Sequence, residues 1–209
     1  MEDLLLEYQK RRPAIKKRLK EFAKIYHMTN SDIFAELAFC IFTPQSKALS
    51  CDTAVKNLKS KGLLFDAAAQ KISHNISGVR FHNNKAAYLV KARNILTNSK
   101  GIDIKSRIYK KDIFSTREWF VKNIKGIGYK EASHFLRNIG LGKDLAILDR
   151  HILRNLVKYK IIKESPKTIS RKVYIDIENK IRRFSEEIDI PMDELDLLFW
   201  AKRTGYIFK

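Results

Sequence analysis

Apolar positions along this chain recur at the three-to-four-residue spacing of an α-helix almost from end to end. Ala132, Phe135, Leu136 and Ile139 fall on one helical face, and the run Leu37-Ala-Phe-Cys-Ile-Phe42 reads as core. The pattern predicts helices over 4–26, with Pro13 as the point where the first would break, and from a cap at Asn30 or Ser31 through Phe42. Thr43-Pro44 ends the second helix, and Gly62 ends a third predicted over 45–61. Further helices are predicted over 66–76, 83–98, 116–124, 129–139 and 150–159. The last two, over 169–187 and 192–204, follow Pro166 and Pro191. Residues 101–111 are polar and basic, the composition of a loop between lobes. Glycine and proline are scarce, at 8 and 4 residues, and strand signals are weak. The expected class is all-α, a single unit over 1–209 with lobes at 30–100 and at 112–209 together with 1–29.

Charge narrows the partner. Lys and Arg number 42 against 23 Asp and Glu, a formal net charge of +19. An unbalanced excess of this size points to a polyanion, for which nucleic acid is the usual candidate. No apolar run approaches the ~18 residues of a membrane span. The opening Met1-Glu-Asp-Leu-Leu-Leu-Glu is acidic and amphipathic, unlike an export signal. Cys40 and Cys51 are too few for a disulfide framework or a four-cysteine cluster. A reducing cytoplasm, close to the nucleoid, is the expected compartment.

The chemistry concentrates in one segment. An apolar helical stretch with Trp119, Phe120 and Ile124 runs into Gly126-Ile127-Gly128, and the next amphipathic stretch starts at once. Two glycines two apart permit a tight hairpin, since each can take positive φ without steric cost. Backbone amides near Gly126 and Gly128, at the start of a helix and beside Lys122 and Lys125, form a ready phosphate site. Loop carbonyls of many such hairpins hold a monovalent cation, the one cofactor expected. Histidines 134 and 151 read as structural, and no cluster has metal-ligand spacing. A plain turn between packed helices is the competing reading of the glycines.

Lys130 stands in the first turn of the helix after the hairpin. A positive dipole end and basic neighbours disfavour its charged form there, as a nucleophilic amine requires. Asp149 follows 19 positions later, at the end of Leu145-Ala-Ile-Leu-Asp149. It reads as the N-cap of a helix beginning at Arg150, and as a carboxylate able to stabilise positive charge on a sugar or relay a proton.

Ile124-Lys-Gly-Ile-Gly-Tyr-Lys-Glu-Ala-Ser-His-Phe-Leu-Arg-Asn-Ile-Gly140 and Ala146-Ile-Leu-Asp-Arg-His-Ile-Leu-Arg154 resemble the helix–hairpin–helix DNA glycosylase superfamily. Together with Arg80-Phe-His-Asn-Asn-Lys-Ala86 and the segment from Glu194 to Lys209, they resemble its archaeal-type 8-oxoguanine DNA glycosylase/lyase branch. The resemblance implies a helical fold with the active site between two lobes. It implies that Lys130 is the Schiff-base nucleophile, that Asp149 is its essential carboxylate, and that double-stranded DNA with oxidised guanine is the substrate of a monomer. The damaged base would be flipped into a pocket, stacked by Phe81 and Trp200 and recognised with the help of Lys209. From sequence alone both aromatics read as well as ordinary core. Thr43-Pro-Gln-Ser46 departs from the branch and makes Gln45 a candidate contact to the orphaned or flipped base. The iron–sulfur cysteines of endonuclease III relatives are absent. An oxidised-pyrimidine glycosylase/lyase and a non-catalytic hairpin module stand as alternatives.

Overall fold

Residue 2 opens a helix that Pro13 fails to break. In a computed structural model, which describes residues 2–209, α1 runs over Glu2–Tyr26 with Pro13 inside it. A mid-helix proline loses one backbone bond and crowds the preceding turn. Leu4, Tyr8, Ile15 and Phe22 bury one stripe on both sides of Pro13, and that packing carries the helix through. Met1, the first residue of an expected lobe, lies outside the described residues.

Ten further helices follow among the described residues: α2 (Asn30–Phe42), α3 (Ala48–Ser60), α4 (Leu63–Asp66), α5 (Ala69–Asn75), α6 (His82–Ile95), α7 (Ile113–Asn123), α8 (Tyr129–Asn138), α9 (Arg150–Lys158), α10 (Arg171–Glu187) and α11 (Met192–Thr204). The all-α expectation is met. In the predicted 101–111 loop a two-residue strand, β2 (Gly101–Ile102), pairs antiparallel with β1 (Thr97–Asn98). The cap of α2 is Thr29 rather than Asn30 or Ser31. Its Oγ1 accepts from the Asp32 amide while the Asp32 carboxylate accepts from the Thr29 amide, a capping box that satisfies two N–H groups at once.

The chain divides into two compact units, residues 2–24 with Leu136–Lys209, and Ile25–Phe135. The divisions fall inside α1 and α8. This differs from the expected lobes, which grouped the hairpin with the C-terminal half. The hairpin belongs to the Ile25–Phe135 unit because its contacts do. Gly126 lies against the ring of Tyr88 in α6, and His134 of α8 packs on Phe39 of α2.

Helix α2 is the centre of that unit. From Ile33 to Phe42 all its residues but Glu36 are buried, against α3 and α6 among others, so a helix apolar all round is buried all round. Cys40 and Cys51 are free buried thiols; Cys51 Sγ donates to the Phe42 carbonyl, and burial pushes its pKa up to about 11. In the other unit, α9 and α10 pack on α11. Buried Tyr8 donates to Glu194 Oε2 at 2.7 Å, tying α1 to the same helix.

Candidate active site

Helix α7 is capped by Asp112, which accepts from the Ser115 amide, and ends at Ile124 in an extended conformation. The chain then turns at Gly126, where φ is +88°. A Cβ there would stand 2.5 Å from Tyr88 Cδ2, so glycine is required by both backbone and space. Gly128 does not use that freedom: its φ lies outside the left-handed region. Its amide donates to Glu131 Oε2 at 3.2 Å, and its carbonyl accepts from the Ala132 amide. A carboxylate thus occupies one amide expected to face a phosphate, while Lys122 and Lys125 remain exposed at the same turn.

Lys130 follows in the first turn of α8, its side chain 24% exposed, with Nζ 3.3 Å from Glu131 Oε1. Glu131 therefore holds both the hairpin amide and the amine beside it. The expected neighbours of Lys130 were basic; this carboxylate was not among them. The signal was available, because an acidic residue in a first turn is where a capping carboxylate belongs. Behind Lys130 the helix is buried from Ala132 onward. His134 packs edge-on against Phe39, with ring centroids 5.5 Å apart, as expected of a structural histidine.

Asp149 belongs to the other unit. As expected it caps a helix: Oδ1 accepts from the amides of His151 at 2.7 Å and Ile152 at 2.8 Å. Both bonds fall on one oxygen; Oδ2 carries none among the described residues. The approach, Leu145 to Leu148, is buried and is clamped by one face of α10. Tyr174 donates to the Ala146 carbonyl at 2.6 Å and accepts from the Leu148 amide at 3.5 Å. Glu178 accepts from the Ala146 amide at 2.8 Å, and Arg182 donates to the Asp144 carbonyl at 3.0 Å. Residues at i, i+4 and i+8 on a helix share a face, and this one meets Asp144, Ala146 and Leu148, every second residue of the segment. The spacing of Tyr174, Glu178 and Arg182 was visible in the sequence, but nothing there shows which segment it faces.

Of the base-contact candidates, Phe81 is not core. It is 52% exposed, left-handed at φ 58° and ψ 34°, with the Arg80 guanidinium 5.4 Å from its ring centre. Gln45 is also exposed and left-handed, at φ 57°. For residues this large the conformation costs roughly 1–2 kcal/mol each. The two sit on neighbouring turns, because the Arg80 amide donates to Ser46 Oγ at 3.0 Å. Trp200 of α11 is half-buried and meets His151, of the helix that Asp149 caps, edge-on with ring centroids 5.6 Å apart; Lys209 is half-buried. The Ile25–Phe135 unit therefore carries Lys130, Lys125, Gln45 and Phe81, and the other unit carries Asp149, Trp200 and Lys209. Among the described residues no group of three or more His, Cys, Asp or Glu is arranged to hold a metal ion, and no helix is long and apolar enough to cross a membrane.

A family model described as 8-oxoguanine DNA glycosylase matches residues 15–190, which include the hairpin, Lys130 and Asp149. An 8-oxoguanine DNA glycosylase/AP lyase from Fusobacterium nucleatum is 50% identical, over 97% of this chain and 94% of the relative. The crystal structure of the 8-oxoguanine DNA glycosylase of Thermotoga maritima superposes with a TM-score of 0.89 at 33% identity, covering 100% of this chain and 97% of that one. The Methanocaldococcus jannaschii 8-oxoguanine glycosylase/lyase, solved in complex with a 15-mer DNA containing 8-oxoguanine, gives 0.87 at 36% identity with both chains fully covered. With its hairpin, lysine and helix-capping aspartate in place, and with likeness over its whole length, this chain belongs to the helix–hairpin–helix 8-oxoguanine DNA glycosylase family.

Proposed function

We propose that this chain excises 8-oxoguanine from double-stranded DNA and cleaves the abasic strand through a covalent lysine intermediate. The observation that carries the reading is the placement of Lys130 in the first turn of α8, immediately after the Gly126 turn, in a chain of this family. The Lys130 amine, neutral when it attacks, forms a bond to C1′ of the damaged nucleotide. The bond from C1′ to the base breaks, and the base leaves with its electron pair and takes up a proton. Ring opening gives a Schiff base between Nζ and C1′. Loss of a C2′ proton then expels the 3′ phosphate by β-elimination, and water releases the lysine. The ion pair with Glu131 opens as the amine attacks.

Asp149 supplies the second charge. Fixed by two amides on Oδ1, it keeps Oδ2 for the positive charge that develops on the sugar as the base departs. Gly126, Gly128 and Lys125 serve a backbone phosphate, which positions the duplex without reading sequence. The phosphate competes with Glu131 for the Gly128 amide, and a monovalent cation on the hairpin carbonyls would strengthen that contact. The base is read by Phe81, Trp200, Gln45 and Lys209, on a monomer working at the nucleoid. Nucleophile and carboxylate both come from the chain, so the chemistry needs no other cofactor.

Borohydride trapping tests this reading. A covalent adduct should form on duplex containing 8-oxoguanine and vanish in Lys130→Ala, which should still bind the duplex. Trapping on oxidised pyrimidines alone would move the substrate assignment to those lesions. Absence of any adduct, on lesions or on abasic sites, would reduce the hairpin to a binding module.

A further inference from the structure

Lys85 sits in the first turn of α6 with only 4% of its surface exposed. Its ammonium donates to the carbonyls of Phe42 at 2.7 Å and Pro44 at 2.6 Å, and to Ser46 Oγ at 3.0 Å. A buried cation ordinarily finds a carboxylate, and a well-packed apolar side chain is commonly at least as stabilising. Here the three bonded acceptors are neutral oxygens from a single turn. Burial pushes the Lys85 amine below the ordinary lysine range, and the charge of Lys130 acts in the same direction. Stability is therefore a poor account of this residue.

Its effect is geometric. Three directional bonds fix the 42–46 turn, and Ser46 Oγ, one of the acceptors, also receives the Arg80 amide. The residue after Gln45 is thereby bonded to the residue before Phe81. Both Gln45 and Phe81 are exposed and left-handed. Two other non-glycine residues among those described share that conformation, Lys160 and Asp189, and each terminates a helix. There the Ile161 amide returns to the Leu156 carbonyl and the Ile190 amide to the Ser185 carbonyl, the usual setting for a left-handed stop. Gln45 lies beyond such a position, and Phe81 opens a helix, where extended backbone is normal. Left-handed strain held outside such helix stops persists only where surrounding bonds over-determine it, and it gathers at functional sites. We propose that Lys85 is a positioning residue for lesion recognition. It locks the two turns together so that Gln45 and Phe81 stand ready as a preformed pair of base contacts. The proposal rests on the glycosylase reading above.

The test compares Lys85→Met and Ser46→Ala with the unaltered chain on two duplexes, one with 8-oxoguanine and one with a preformed abasic site. Single-turnover excision is measured on the first, borohydride trapping on the second, and thermal unfolding on each protein. A displaced contact pair should slow excision in Lys85→Met by roughly ten- to a hundredfold. Trapping at the abasic site, where no base has to be recognised, should stay within about threefold. Ser46→Ala should show the same split to a smaller degree. Equal losses on both duplexes, or excision at the unaltered rate, would overturn the proposal. If Lys85→Met does not fold, Ser46→Ala decides by the same split. An unaltered chain inert on both duplexes would instead overturn the glycosylase reading.

Discussion

Removing the hydroxyl of Tyr174 should weaken catalysis through Asp149 without touching Asp149. Tyr174 is 2% exposed, and its OH is bonded to the Ala146 carbonyl at 2.6 Å and, at the limit of a hydrogen bond, to the Leu148 amide at 3.5 Å. In Tyr174→Phe both backbone groups stay buried and lose this partner. An unsatisfied buried polar group costs about 1–3 kcal/mol. The longer bond adds little, so about 2 kcal/mol is expected, a fall in Tm on the order of 5 °C for a chain of this size. Glu178 still holds the Ala146 amide at 2.8 Å, so the segment should loosen rather than detach. Asp149 follows that segment, and a shift of a fraction of an ångström at a charge-stabilising carboxylate should slow base excision by roughly tenfold. Thermal unfolding and single-turnover excision, measured on one preparation, test the two halves separately. A lowered Tm with an unchanged excision rate would refute the claim that α10 positions Asp149. An unchanged Tm would show that the buried bonds are not made.

Other substitutions separate roles that coincide in one residue. Asp149→Asn should lose most base excision while keeping DNA binding and nearly its full Tm, because Asn caps a helix about as well as Asp; unchanged excision would remove Asp149 from the mechanism. Gly126→Ala meets both a positive φ and the Tyr88 ring at 2.5 Å and should cost about 2–4 kcal/mol in denaturant unfolding. Gly128→Ala faces only the movable Glu131 carboxylate at 3.2 Å, so equal losses at the two positions would contradict this distinction. The Lys59 ammonium, with Thr29, holds the Asp32 carboxyl below the usual carboxylate range. Its contribution is therefore present above the unfolded-state value and lost as pH falls through the folded one. Compared by urea unfolding, Asp32→Asn should be less stable than the unaltered chain near neutral pH and converge with it in acid; a constant gap across that range would count against the capping-box charge.

How much of this could be read from the chain itself differs by residue. Met192–Thr204 and Tyr129–Asn138 match their predicted helices to within a residue, since an apolar stripe and a terminating glycine or proline are local signals. Thr29 was missed as a cap because Asn30 and Ser31 offer equally good oxygens, and only the reciprocal bond with Asp32 singles it out. From sequence Phe81 stood both as a base contact and as ordinary core, because aromatic side chains are usually buried. Its exposure goes with a left-handed backbone beside a bond, Arg80 to Ser46, that spans 34 residues of the chain.

The sequence alone determined the helical class, the hairpin and the cationic character, and it singled out Lys130 and Asp149, the two residues proposed to carry the chemistry. Each of these is set by composition or by spacing within a few turns of one another. Tertiary structure alone decided the rest. It turned Tyr174, Glu178 and Arg182 onto the segment before Asp149, and buried Lys85 where two distant turns meet. Hydrogen bonds between residues far apart in the chain depend on which surfaces meet after folding, and periodicity carries no record of that.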